Sequence, residues 1–135
     1  MIVRELMTEK VAALRPNEPL ARAAELMDTY GVRHAPVTDD DGELVGLVSQ
    51  RDLLRHSLRG QTDLTLNMQE EILDRARVGD VMVDEPEHIE PDADVRVAAE
   101  LMLDNKYGCL PVTEGARLVG IVTESDFVRA FLRTV

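Results

Sequence analysis

An α+β fold built from two copies of one β-α-β-β-α unit is predicted by three observations. Val3 to Leu58 and Val78 to Leu132 align with a single one-residue gap and eighteen identical pairs, where ordinary composition gives on the order of three. Within each copy the apolar spacing switches from the helical to the strand period. Each copy also carries Gly-x-x-(Ser/Thr)-x-x-Asp at the same point, as Gly46, Ser49 and Asp52 and again as Gly120, Thr123 and Asp126.

The elements follow in matched order. Val3 to Met7, or Val78 to Met82, reads as a short turn of helix. A brief strand around Ala13-Leu14, or His88-Ile89, then stops at Pro16 or Pro91. Leu20, Ala23, Ala24 and Met27, matched by Val95, Ala98, Ala99 and Met102, make the i, i+3, i+4, i+7 stripe of one buried helix face. The paired alanines imply close backbone approach there. Ala35 to Thr38 and Leu44 to Val48, joined by an Asp- and Gly-rich turn, read as a hairpin, repeated by Leu110 to Thr113 and Leu118 to Val122 around Gly115. A closing helix is expected over Gln50 to Leu58 and Glu124 to Leu132. The repeats therefore occupy 1–58 and 78–135. Between them, 59–77 is a linker, partly helical from near Asn67 on the spacing of Met68, Ile72, Leu73 and Ala76.

Each copy alone is small enough to be marginally stable, so the two are expected to pack on each other. Of the residues, 44% are hydrophobic, but with two Phe, two Tyr and no Trp the core has to be aliphatic. One cysteine excludes an intrachain disulfide, and one Cys with three scattered His assembles no metal site. The start, MIVRELMTEK, lacks the apolar run of a signal sequence, and no stretch approaches the ~20 apolar residues of a membrane span. A soluble cytoplasmic protein with no membrane partner is the expectation. The formal charge of −11 argues against a nucleic-acid partner. It is unevenly spread: residues 1–58 hold ten acids and seven bases, residues 78–135 twelve and five. An anionic ligand should prefer the first copy.

The repeated motif has two readings. A Ser or Thr three residues before an acid, at a helix start, is a capping box that needs no ligand. The other reading is a nucleotide site. Gly46 and Gly120 leave room for another backbone or a flat ring, and an Asp carboxylate can accept both hydrogen bonds of a ribose diol. The hydroxyl and first-turn amides can face a phosphate. This second reading requires the carboxylate to turn outward instead of folding back onto its own amides.

Pro36-Val37 and Pro111-Val112, followed by the hairpin and by GLVSQRD and GIVTESD, resemble the CBS domain, the module named after cystathionine β-synthase, over nearly all of the chain. The resemblance implies two repeats packed sheet to sheet about a pseudo-twofold axis. It also implies two clefts between them for AMP, ADP, ATP or S-adenosylmethionine, and no catalytic cofactor. Carried over residue by residue, Asp52 and Asp126 hold ribose, Ser49 and Thr123 assist, and the residues around Pro36 and Pro111 contact base or phosphate. Arg33 and His34 stand before the first Pro-Val and Arg51 lies inside the first motif, where the second copy has Gly108, Cys109, Glu124 and Ser125. Phosphate should therefore favour the cleft that receives Arg33, His34 and Arg51. For Arg51 and Arg55 the plain alternative is a solvated helix face, for His34 a satisfied imidazole, and for Cys109 a small buried hydrophobe.

These features make a regulatory module the leading expectation: an adenosyl ligand binds and an unidentified target protein responds. Homodimerisation through Leu26, Tyr30, Leu101, Leu103 and Phe131 is expected beside it. The alternative is a homodimeric assembly protein with empty clefts. An enzyme is disfavoured, because neither copy offers a nucleophile with its base.

Overall fold

The alternation of apolar residues after each helix does produce hairpins, and the i, i+4 stripes before them do produce helices. The computed structural model describes residues 1–58 and 75–134 of the 135-residue chain. Its elements are a 3-10 turn (Val3–Glu5), α1 (Leu20–Tyr30), β1 (His34–Thr38), β2 (Leu44–Ser49), α2 (Gln50–Leu58), α3 (Val78–Val81), β3 (Val83–Asp84), α4 (Val95–Asn105), β4 (Cys109–Glu114), β5 (Arg117–Thr123) and α5 (Glu124–Thr134). The helix expected to start near Asn67 lies mostly outside the described residues. No helix among the described residues is long and apolar enough to cross a membrane.

These elements form two compact units, Ala12–Pro86 and Met1–Val11 with Glu87–Val135. Unit boundaries thus fall inside the repeats. In the first unit the antiparallel order is β1-β2-β3, with Leu14 bridging Val37 in parallel on the other side of β1. β3 comes from the opening of the second repeat. The second unit is the counterpart: β4 pairs β5, Ile89 bridges Val112 in parallel, and Thr8, from the opening of the first repeat, bridges Ile121. Each copy's opening turn therefore packs on the other copy's hairpin.

Backbone bonds hold the exchange. Val3 N donates to the Ala93 carbonyl at 2.9 Å and Arg4 N to Pro91 at 2.8 Å, matched by Val78 N to Glu18 at 2.9 Å and Gly79 N to Pro16 at 2.8 Å. Thr8 and Ile121 exchange N–H···O bonds in both directions, at 2.9 and 3.0 Å. These bonds satisfy groups at a strand edge and at helix starts that the short repeats leave open.

Both cores are aliphatic, as composition requires. Leu14, Leu20, Ala23, Met27, Ala35, Val37 and Val48 fill the first, with Val78 from the exchanged segment. Val3 and Leu6 join Ala98, Met102, Leu110, Val112 and Val122 in the second. Ala23 and Ala98 have no exposed surface, while Ala24 and Ala99 beside them are half-buried. Leu26, expected at a dimer contact, is instead 4% exposed in the first core, and Leu101 packs against the second. Both fall on the inward side of the helical stripe. Tyr30, Leu103 and Phe131 remain exposed.

The two hairpins share a register irregularity, between Val37 and Thr38 and between Val112 and Thr113. They differ beneath it. Arg15 Nη1 donates to Thr38 Oγ1 and to the Asp39 carbonyl. The second copy has Glu90 where Arg15 stands, and Thr113 Oγ1, in a residue 1% exposed, has no hydrogen-bond partner among the described residues. A buried hydroxyl without a partner costs roughly 1–3 kcal/mol, so the near-isosteric Thr113→Val is expected to raise unfolding free energy by about 1 kcal/mol. Thr38→Val, which strips Arg15 of one of its acceptors, should lower it. Denaturant titrations of the two variants read the opposite signs.

Candidate functional site

Each Pro-Val strand begins where the Ser/Thr-x-x-Asp motif ends its own strand, so the two halves of the motif meet at one end of each hairpin. His34 is the register partner of Ser49, and the Gln50 amide donates to the Arg33 carbonyl at 2.8 Å. Cys109 likewise faces Thr123, and the Glu124 amide donates to Gly108 at 3.3 Å. The first end thus gathers Arg33, His34, Ser49, Arg51 and Asp52. At the second end stand Cys109, Thr123, Glu124, Ser125 and Asp126. Arg33 and Arg51 are exposed and His34 is half-buried, so cationic side chains border the first motif, while the second has Glu124 in its first helical turn in addition to the motif acid.

Both carboxylates fold back. Asp52 Oδ2 accepts from Ser49 N and from Ser49 Oγ, each at 2.8 Å, and the Asp52 amide donates to Ser49 Oγ at 3.2 Å. Asp126 Oδ2 accepts from Thr123 N at 2.8 Å and from Thr123 Oγ1 at 3.2 Å. The expectation of an acid turned away from its own amides is corrected on this point. A capping box satisfies orphan donors at the helix start, and that gain is available with no ligand present.

One oxygen suffices for the cap, and the two acids differ in the other. Oδ1 of Asp126 accepts from Arg129 Nη2 at 2.9 Å, and the Asp126 side chain is only 7% exposed. Asp52 is half-buried, and its Oδ1 has no partner among the described residues. Arg55 holds the position in α2 that Arg129 holds in α5, three residues after the acid, and is exposed. The identical Arg pair in the repeat alignment carried a signal for this contact, but it could not say which copy makes it.

Gly46 and Gly120 do provide close approach, chiefly to side chains not anticipated from the motif. A Cβ on Gly46 would strike Met82, with Sδ nearest and Cγ at 2.9 Å; one on Gly120 would lie 2.8 Å from Met7 Sδ and 2.9 Å from the Thr8 carbonyl oxygen. No ring is involved: a methionine from the exchanged segment fills each gap. Met7 and Met82 are an identical pair in the repeat alignment, which was their signal.

Pro36 and Pro111 are buried, and their carbonyls accept from Leu14 N at 2.9 Å and Ile89 N at 3.1 Å. Cys109 is 2% exposed, and burial pushes its thiol up to about 12. The plain reading of this residue as a small hydrophobe therefore fits its surroundings, and its side chain is not offered to a ligand from solvent. A thiol with so little thiolate reacts slowly. Labelling of Cys109 by a thiol reagent at pH 8 should run on the order of a thousandfold slower in the native protein than in denaturant, followed by absorbance.

The comparisons with known proteins agree with this architecture. The family model described as CBS domain matches residues 3–59 and 78–133. An uncharacterized protein of Methanocaldococcus jannaschii is 34% identical over 127 residues, covering 94% of this chain and 41% of its own length. The chloroplastic CBS domain-containing protein CBSX1 of Arabidopsis thaliana is 33% identical over 151 residues, with 97% of this chain and 64% of its own length covered. The chain therefore spans less than two thirds of either relative. Among solved structures, CBSX2 of the same plant in complex with AMP has a TM-score of 0.84 at 31% identity, over 98% of this chain and 97% of that one. Both sequence repeats fall within the matched ranges, and the two hairpin units reproduce an architecture already solved: this chain belongs to the CBS domain family and carries two such domains in tandem.

Proposed function

We propose that this chain is a regulatory module that binds an adenosyl ligand, with AMP as the leading candidate and ADP, ATP and S-adenosylmethionine as relatives of it. Occupancy is passed to a partner protein. The observation that carries the reading is the state of Asp52: one carboxylate oxygen closes the helix cap and the other is uncommitted among the described residues, at a hairpin end bordered by Arg33, His34 and Arg51. A ribose hydroxyl donates to such an oxygen, and guanidinium groups suit a phosphate. Support comes also from CBSX2, whose crystal structure holds AMP.

In this proposal Asp52 and Ser49 take the ribose, and Arg33, His34 and Arg51 take the phosphate. Pro36 and Pro111 contribute as rigid backbone, and Cys109 contributes through its main chain. Thr123 and Asp126 form the second, weaker site. No catalysis is assigned to either. The exposed Tyr30, Leu103 and Phe131 are the proposed dimer contacts, and the cytoplasm suits a chain whose single thiol needs no oxidising compartment.

Calorimetric titration with AMP tests the reading. Saturation at a hundredfold excess over Kd should raise stability by about 2.7 kcal/mol. No heat and no thermal shift with any of the four ligands would favour the alternative, an assembly protein, for which the already completed capping boxes speak.

A further inference from the structure

The two acids carry the same neighbour in sequence and use it differently. Asp52 and Arg55 are separated by three residues, as are Asp126 and Arg129. Only the second pair is closed among the described residues: Arg129 Nη2 lies 2.9 Å from Asp126 Oδ1. With Oδ2 already accepting from Thr123 N and Oγ1, both oxygens of Asp126 are engaged. Asp126 is also the more deeply buried of the two acids, and a carboxylate withdrawn from water gains most from a guanidinium partner.

We propose that Arg129 is a latch on the second motif: it holds the carboxylate oxygen that a ribose hydroxyl would need, so a nucleoside enters there only by displacing it, while the first motif stands ready. This regulation rests on the ribose reading of the motif given above. The latch is a gate of moderate strength. Arg129 is itself 59% exposed, and a pair with one solvated partner contributes little beyond about fivefold in an equilibrium. Charge adds to the bias without making it. Glu124 and Ser125 replace Gln50 and Arg51 in the first helical turn, which disfavours a phosphate whether or not the latch is open, so a neutral nucleoside is the probe that isolates Arg129.

Adenosine, titrated calorimetrically into the full chain, tests this. Arg129→Ala is expected to tighten the weaker site, or reveal one, by up to about fivefold. Arg133→Ala, which removes the same charge from an exposed position one turn further along α5, should leave it unchanged. Adding Asp126→Asn to Arg129→Ala should abolish the gain, and thermal melts verify that each variant is folded. Equal affinities for wild type and Arg129→Ala, or weaker binding in the variant, would overturn the latch. In that case AMP binding that depends on Asp52 would still uphold the ribose reading, whereas adenosine and AMP binding to no variant would overturn both.

Discussion

Asp52→Asn is expected to weaken AMP binding by about 3- to 30-fold while leaving the melting temperature nearly unchanged. The amide keeps one oxygen, which can still accept from Ser49 N and preserve the cap. It replaces the other oxygen with a donor, and that costs the charge-assisted bond to ribose, about 1.5–3 kcal/mol. Removing a negative charge also relieves repulsion of the AMP phosphate, an opposing effect. At roughly 8 Å in water, with a phosphate charge near −2, that relief is about 1 kcal/mol, so the lost hydrogen bond wins. Asp126→Asn should do the reverse: it leaves Arg129 beside a buried neutral amide and lowers stability by about 1 kcal/mol. The tighter AMP affinity should change by less than about twofold. Paired calorimetry and thermal melts read both quantities, and an Asp52→Asn protein that binds AMP like wild type would remove the carboxylate from the site.

Legibility in the sequence stopped where two equivalent answers were available. The helices Leu20–Tyr30 and Val95–Asn105 and both hairpins were readable because period and turn chemistry determine them one residue at a time. The partner of each opening turn was not. Val3 and Val78 have the same surroundings in the alignment, so packing on the hairpin of the same copy or of the other copy satisfies the pattern equally. Strand Val83–Asp84 and the Thr8 bridge are too short to show any period. The motif acids follow the same rule. Ser49 with Asp52 and Thr123 with Asp126 announced both a cap and a ligand site, and the geometry assigns Oδ2 to the cap in each copy. That only Asp126 is closed by its arginine goes with a burial that differs between the copies, which spacing does not encode.

Gly120→Ala should be the costlier of the two motif-glycine substitutions, lowering stability by about 2–3 kcal/mol and the melting temperature by about 5–10 °C. Its Cβ would lie 2.9 Å from the Thr8 carbonyl oxygen, closer than such contacts occur, and that oxygen is tied to Ile121 N at 3.0 Å. Relief therefore moves backbone and loosens the two bonds between Thr8 and Ile121, about 1 kcal/mol each. At Gly46 the obstructing atoms all belong to the side chain of Met82, which is flexible and can rotate away. Alanine also narrows the unfolded ensemble by about 0.4–1 kcal/mol, offsetting much of the smaller cost at Gly46 and only part of it at Gly120. Double variants separate the causes. Met82→Ala should recover most of the loss from Gly46→Ala, whereas Met7→Ala should not rescue Gly120→Ala, because the carbonyl stays. Equal rescue in both pairs, measured by denaturant midpoints, would mean that methionine volume alone sets the need for glycine and that the Thr8 bridge yields freely.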